Sequence, residues 1–429
     1  MTIERNLYLN RLVKAKNNGK VKILTGMRGS GKTYLLFEIF YQSLRSEGID
    51  DAHIIRVNLE DAGSVQYRDP SALNEYIGGC IQNESDRYYV LIDEVQLMIT
   101  PKERKHLTEP KAFYKMISGL SSRGNVDVYM TSSNSLFIST KVPEEFIELG
   151  QYIHVAPLAF SEFFSYKGGE VGAAWSEYLR FGGLPRVVLE SDEAAKMQYM
   201  RDLKAEIFIK DINTPYGIIN DEGMDDLLHS VGLYIGILTN AQRIANEFAA
   251  RENKGITTPT VREYLRFLRE AFIIERAERY DIKGKKYIHT PSKFYYTDLG
   301  MRNALFDYPN TDPTFMMENV VYHDLLYRGF NVDAGAVEIH PTENGKRLRK
   351  HLEVDFVANL DNVRYYVQTA NNVSDKTTMD KVQSSLVKIP DTNKKIIIIE
   401  QPTDIYRNEK GIMIINSFDF LLDPQSLDK

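Results

Sequence analysis

The chain has 429 residues, 43% of them hydrophobic and 26% charged, the balance of a globular protein of about three domains, each able to bury its own core. A net charge of -6 excludes a generally basic nucleic-acid coat and confines any DNA contact to a local basic face. One cysteine, Cys80, excludes an internal disulfide framework or a multi-cysteine metal site. The longest apolar runs, such as 396–399, fall far short of the ~20 residues that a membrane helix needs, and the opening Met1-Thr2-Ile3-Glu4-Arg5-Asn6 carries no apolar signal segment. The expectation is a cytoplasmic protein with no membrane partner.

In chain order, the first strand-like run is Val21–Thr25, followed by Gly26-Met27-Arg28-Gly29-Ser30-Gly31-Lys32-Thr33 and a helix-like run that starts at Tyr34. The pattern G-x-x-x-x-G-K-[ST] between a strand and a helix is a phosphate-binding loop. Its glycines let the backbone turn several N–H groups toward one point, where the positive end of the helix adds to the field. ATP or ADP is the expected guest, contacted by residues 26–34. Lys32 would reach the β- and γ-phosphates as a catalytic group, and the Thr33 hydroxyl would hold Mg²⁺.

Further strand-like runs at 53–59, 88–92 and 126–130 leave room for helices between them, which implies a parallel sheet covered on both faces, with ligands at the carboxyl ends of its strands. At one such end Tyr88–Ile92 runs directly into Asp93 and Glu94. This reads as a Walker B strand, with Asp93 on Mg²⁺ and Glu94 polarising the attacking water. The third run ends in Thr131-Ser132-Ser133-Asn134, so Ser133 and Asn134 are candidates to sense the γ-phosphate, or else form an ordinary turn.

With these motifs in place, residues 1–160 resemble the prokaryotic P-loop ATPases of the AAA+ type. The resemblance extends to Gly150-Gln151-Tyr152-Ile153 and to Pro157-Leu158 followed by Glu162-Phe163. Gln151 stands where the family carries an arginine, which implies slow hydrolysis or an arginine supplied by a partner or a homo-oligomer. In the next segment, 161–220, Gly182-Gly183-Leu184-Pro185 ends a helix. The resemblance makes this a helical lid in which Pro185 touches the base and Arg186 approaches the phosphates; an ordinary helix terminus is the alternative.

Helical periodicity from Met224, after Asn240 and from Thr258-Pro259, with Thr260 and Glu263 at capping-box spacing, leads into a hairpin whose tip is Lys283-Gly284-Lys285-Lys286. This is the outline of a winged helix over 221–310. Arg262, Arg266 and Arg269 on its third helix and Lys283, Lys285 and Lys286 on the wing are possible DNA contacts, and a protein-docking role is the alternative.

The last segment, 311–429, reads as an α/β unit, with a helix over 315–329 and strands at 352–358, 363–368, 395–400 and 411–416. Glu318, Glu353-Val354-Asp355 and Gln368-Thr369-Ala370 resemble the core of a restriction-endonuclease-like domain in which the second acid and the lysine are replaced by Gln368 and Ala370. That implies a degenerate nuclease site of Glu318, Asp355 and Gln368; the alternative is that Glu353 and Asp355 are solvated strand-edge residues. Lys293–Arg302 and Glu318–Val321 match junction and helix signatures of a broad prokaryotic family with this domain order.

The fold class expected is α/β: a P-loop NTPase parallel sheet with a helical lid, a winged-helix module and a C-terminal nuclease-like domain. The function expected is a slow Mg²⁺-dependent ATPase acting as a switch on DNA or a protein partner. An ATP-gated nuclease and a non-hydrolysing ATP-binding scaffold are the alternatives.

Overall fold

A computed structural model describes residues 3–100, 103, 111–135, 144–218, 222–252, 256–308, 313–343, 346–373 and 375–429. The expected boundaries at 220/221 and 310/311 lie outside the described residues. The chain divides into two compact units: residues 1–157 with 184–221 and 267–273, and residues 158–183 with 222–266 and 274–429. No helix among the described residues is long and apolar enough to cross a membrane.

The first unit is built on five strands, β1 (Val21–Thr25), β2 (Ile54–Asn58), β3 (Tyr88–Asp93), β4 (Val126–Ser132) and β5 (Gly150–His154), in the order β2-β3-β4-β1-β5. All the pairings are parallel. Every residue of β1, β3 and β4 is buried, as their near-continuous apolar runs require of a sheet covered on both faces. The core combines Ile23, Val90, Ile92, Val128 and Met130 with Leu73, Ile77 and Ile117 from the flanking helices.

A buried ion pair joins two strands of the sheet. Lys22 on β1 pairs with Asp127 on β4 and donates to the Lys20 carbonyl at 2.8 Å. Strand β5 is absent from the sequence reading because Gly150-Gln151-Tyr152-Ile153-His154 is a half-exposed edge strand with one fully buried residue, Ile153, and so has no apolar run to announce it.

The expected helices occur at Glu222–Leu233 and Ala241–Glu252, in the second unit, and at Thr258–Glu270, of which residues 258–266 belong to that unit. Asn240 caps the second, its side chain accepting from Arg243 N–H at 2.8 Å. The third starts at Thr258, as expected, but its capping side chain is Thr257 rather than Thr260: Thr257 accepts from the Thr260 N–H at 3.3 Å, and Pro259 falls in the first turn, where no N–H is needed. The hairpin follows as β6 (Ile274–Asp281) and β7 (Lys286–Tyr296). Thr239 and Ser292 exchange backbone hydrogen bonds at 2.9 and 3.0 Å, which ties the segment after the first helix to β7.

The hairpin does not stand apart as a wing. β6 pairs in parallel with β8 (Asn331–Ile339), so β6 and β7 extend the sheet of the C-terminal segment. Beyond a short ribbon of β9 (Thr342–Glu343) and β10 (Lys346–Arg347), that sheet takes in β11 (Lys350–Leu360), β12 (Val363–Ala370), β13 (Lys394–Ile399), β14 (Tyr406–Arg407) and β15 (Met413–Asn416). The order is β14-β15-β13-β12-β11-β8-β6-β7. Helices Pro313–Tyr327 and Lys376–Val387 pack on it, and Val354, Tyr366, Leu386, Ile397 and Ile414 form much of its core. β8 went unread because Asn331, Asp333, Gly335 and Glu338 interrupt its apolar residues.

The Gly182-Gly183 stop is explained within this unit. Gly182 ends helix Val171–Phe181 at φ 75°, and the Gly183 N–H donates to Asp298 Oδ2 at 2.8 Å. The other Asp298 oxygen caps helix Leu299–Leu305 through the Met301 N–H at 2.9 Å. One buried carboxylate thus satisfies donors from two segments. Asp298→Ala is expected to lower the stability of this unit by about 2 kcal/mol, by loss of the cap and exposure of a buried N–H without an acceptor, measurable as a lower urea midpoint.

Candidate nucleotide site

The loop after β1 owes its shape to its glycines. At Gly26 (φ 150°) a Cβ would lie 2.2 Å from the Val155 carbonyl, so only glycine allows the backbones of β1 and of the chain leaving β5 to approach this closely. Gly29 and Gly31 also have positive φ, at 83° and 93°. The loop closes on Lys32, whose buried Nζ donates to the carbonyls of Gly26 at 2.9 Å and Met27 at 3.0 Å. Burial pushes the Lys32 ammonium below its ordinary pKa, against the pull of Glu94 and Asp93. Ser30 Oγ is buried in the same loop with no hydrogen-bond partner, a polar group suited to a phosphate oxygen.

The parallel sheet brings the acids to this loop. Thr33 Oγ1 donates to Asp93 Oδ2 at 2.9 Å, so a hydroxyl and a carboxylate converge on one point, the kind of hard oxygen pair that could hold Mg²⁺. Burial, and next the neighbouring Glu94, push Asp93 up to about 6. Glu94 itself is held in the left-handed region at φ 57°, ψ 48°, a conformation that a non-glycine residue adopts only where its surroundings impose it.

Those surroundings are specific. The Glu94 N–H donates to Thr131 Oγ1 at 3.0 Å, Ser133 Oγ donates to Glu94 Oε1 at 2.7 Å, and Gln96 donates to Oε2. Thr131 also donates to Asp93. Of the two sensor candidates, Ser133 therefore reaches Glu94, while the backbone N–H and carbonyl of Asn134 close a turn with Ser132 Oγ at 3.2 and 2.8 Å. Thr131, which the sequence reading passed over, touches both acids.

Of the remaining loop residues, Met27 is fully buried, so its contribution to a ligand is its backbone, and Tyr34 is 49% exposed at the helix start. Pro185 lies against the loop, its Cγ 3.3 Å from where a Gly31 Cβ would be. Arg186 is exposed and stacks over the Tyr199 ring at 4.8 Å. Gln151 pairs with Lys22 near the amino end of β1 and accepts from Asn18 at 2.6 Å, so position 151 lies at the end of the strands remote from the phosphate loop.

Arg28 is the loop residue with the most partners. It forms a two-pronged pair with Asp211 (2.8 and 3.2 Å), from segment Phe208–Asn213, and donates to Glu60 at 3.0 Å. Glu206 and Glu94 stand at 3.5 and 3.7 Å. Neither Asp211 nor Glu60 has a local sequence signal, because their role exists only through packing.

Of the basic residues proposed for DNA, Arg262 and Arg269 are exposed, and Arg266 is half-buried, 3.6 Å from Glu263. Lys283, Lys285 and Lys286 are exposed on the hairpin turn, where Lys283 donates to the Glu338 carbonyl at 2.9 Å. The C-terminal acids are brought together around one lysine; the reading of solvated strand-edge residues is corrected for Asp355, which is 6% exposed on the internal strand β11, while Glu353 on the same strand is exposed. The fully buried Lys293 ammonium, from β7, lies between Glu318 (2.8 Å), Glu353 (2.6 Å) and Asp355 (3.6 Å).

Tyr295 OH donates to Glu318 and the Thr369 N–H to Asp355, at 2.8 and 2.7 Å, while Gln368 Oε1 accepts weakly from the Asp355 N–H at 3.4 Å. A cation of the chain itself thus occupies the centre of the carboxylates. Among the described residues no group of histidine, cysteine and acidic side chains is arranged to hold a metal ion.

A five-stranded parallel sheet with a glycine-lysine loop after β1 and Asp-Glu at the end of β3 defines a P-loop NTPase core. Residues 18–164 match the family described as an AAA domain, and residues 172–312 match a domain of unknown function, DUF8612. Over its length the chain is similar to an uncharacterized protein of Haemophilus influenzae, 27% identical with 98% of each chain covered. An uncharacterized protein of Methanocaldococcus jannaschii is 24% identical over 88% of this chain and 82% of its own. Among solved structures, a Walker-type ATPase of Pyrococcus abyssi superposes with a TM-score of 0.47 at 13% identity, covering 71% of this chain and 96% of that one.

Replacing the buried cation leaves three carboxylates facing one another. Lys293→Met is expected to destabilise the second unit by about 3–5 kcal/mol, read from its urea unfolding; an unchanged midpoint would show that the cluster is solvated.

Proposed function

We propose that the protein is a Mg²⁺-dependent ATPase that works as a nucleotide-controlled switch. The observation that carries this reading is the convergence of Lys32, Thr33, Asp93 and Glu94 at one end of the parallel sheet, where ligands of such sheets bind. Backbone N–H groups of residues 26–33 and Lys32 bind the phosphates, Pro185 and Tyr34 border the nucleotide, Thr33 and Asp93 hold Mg²⁺, and Glu94 accepts the proton of the attacking water. Bound Mg²⁺ supplies charge neutralisation on the phosphate oxygens. Ser133 and Thr131 orient the two acids.

The helices of 222–270 with the β6–β7 hairpin form a winged-helix module in this reading, fused through its hairpin to the nuclease-like sheet. Exposed Arg262 and, on the hairpin turn, Lys283, Lys285 and Lys286 are the residues of the second unit offered to nucleic-acid phosphates. The output of the switch is altered contact with DNA or a protein partner. The C-terminal acids serve stability rather than strand cleavage, because Lys293 fills their centre.

Steady-state phosphate release from ATP tests the first step. Wild-type turnover that Lys32→Ala and Glu94→Gln each lower at least about 100-fold is expected; tight ATP binding without turnover would favour a scaffold instead. A second expectation concerns pH. Asp93 titrates near 6, so below that value it carries a proton that Mg²⁺ must displace. Mg²⁺ affinity at fixed ATP should then fall more steeply below pH 6 in the wild type than in Asp93→Asn, where only the ATP phosphate still titrates, read by calorimetric titration, whereas the same pH dependence in both would remove Asp93 from the metal site.

A further inference from the structure

Arg28 is an arginine inside a phosphate loop, and its environment is built rather than incidental. The side chain is 8% exposed, and its guanidinium meets carboxylates on every accessible edge: Asp211 through Nε and Nη2, Glu60 and Glu206 through Nη1, and Glu94 through Nη2. Lys210, one residue before Asp211, joins Glu60 and Glu206 at 2.6 and 2.8 Å and fixes the outer side of the same network. The planar fork of an arginine is what a two-pronged carboxylate pair requires, and Nη2, held at 3.2 Å by Asp211, stands 3.7 Å from Glu94, beyond hydrogen-bond distance.

Nη2 thus borders Glu94, the residue that would hold the attacking water beside the γ-phosphate in the ATPase reading. Hydrolysis of a phosphoanhydride places growing negative charge on the oxygens around this point, and an arginine there is a recurring means of stabilising it. The position at which an arginine was expected, 151, holds a glutamine tied to Asn18 at the opposite end of the strands.

We propose that Arg28 is the arginine of the hydrolytic site, supplied within the chain, and that Asp211 is the positioning residue that holds its guanidinium against Glu94. The inference rests on the ATPase reading above. In the step it serves, the water oxygen bonds to the γ-phosphorus, the bond from that phosphorus to the bridging oxygen breaks with its electron pair passing to ADP, and the water proton goes to Glu94. Arg28 donates to the γ-phosphate oxygens throughout.

The test compares the wild type with Arg28→Gln and with the double variant Arg28→Gln/Asp211→Asn. It measures kcat by phosphate release, ATP affinity with a fluorescent ATP analogue, and thermal stability. The single variant removes a buried cation and leaves Asp211 without its partner, so some loss of stability is expected; the double variant removes both charges and recovers the fold.

If Arg28 contacts the reacting phosphate, kcat falls about 100- to 1000-fold in both variants, while ATP affinity stays within about one order of magnitude. Recovery of kcat together with stability in the double variant would reduce Arg28 to a structural ion pair and overturn the proposal. So would a folded single variant with unchanged kcat. A wild type that binds ATP without turnover would instead remove the ATPase reading itself, a result distinguishable because it does not depend on any variant.

Discussion

The parallel pairing of β1 with β4 and β5 is the constraint on which the first unit depends. It carries three requirements at once. The strands must be buried on both faces, Gly26 must pass close to the Val155 carbonyl, and the phosphate loop must emerge where β3 ends in Asp93 and Glu94. The buried pair of Lys22 with Asp127 crosses from β1 to β4, and Tyr129 OH donates to the same carboxylate at 2.9 Å, so a shift of one strand against the other would strand a buried charge. Register and site geometry are therefore fixed by the same contacts.

A second level of organisation is electrostatic. In each unit a cation supplied by the chain is surrounded by carboxylates drawn from distant segments: Arg28 among Asp211, Glu60, Glu206 and Glu94 in the first, Lys293 among Glu318, Glu353 and Asp355 in the second. The two differ in what they leave open. Lys293 is fully buried and closes its cluster, whereas Arg28 sits in the glycine-lysine loop, where Ser30 Oγ is buried without a hydrogen-bond partner. The same kind of ion network thus reads as stability in one place and as chemistry in the other.

How much of this was legible in the sequence follows from how local each signal is. The phosphate loop, the Asp93-Glu94 pair and the strands β1, β3 and β4 are written in contiguous residues, and the structure forms the strands within one or two residues of the expected bounds. β5 and β8 were not visible, because partly polar strands carry little pattern apart from the sheet that contains them. Asp211 and Lys293 could not be found by spacing: each meets its partners across a tertiary contact, 183 residues for Arg28 with Asp211 and 25 for Lys293 with Glu318. The hairpin was readable as a hairpin, but its parallel pairing with β8 depends on a strand without a clear signal.

The measurement that bears most directly on the central claim is amide hydrogen exchange of the full chain with and without ATP and Mg²⁺. Ligation at this site should slow exchange in three separated stretches together: residues 26–34, the turn around Glu94, and 206–213 around Asp211. Exchange unchanged in all three at saturating ATP would contradict a nucleotide site at the end of β1 and, with it, the functional account built on that site.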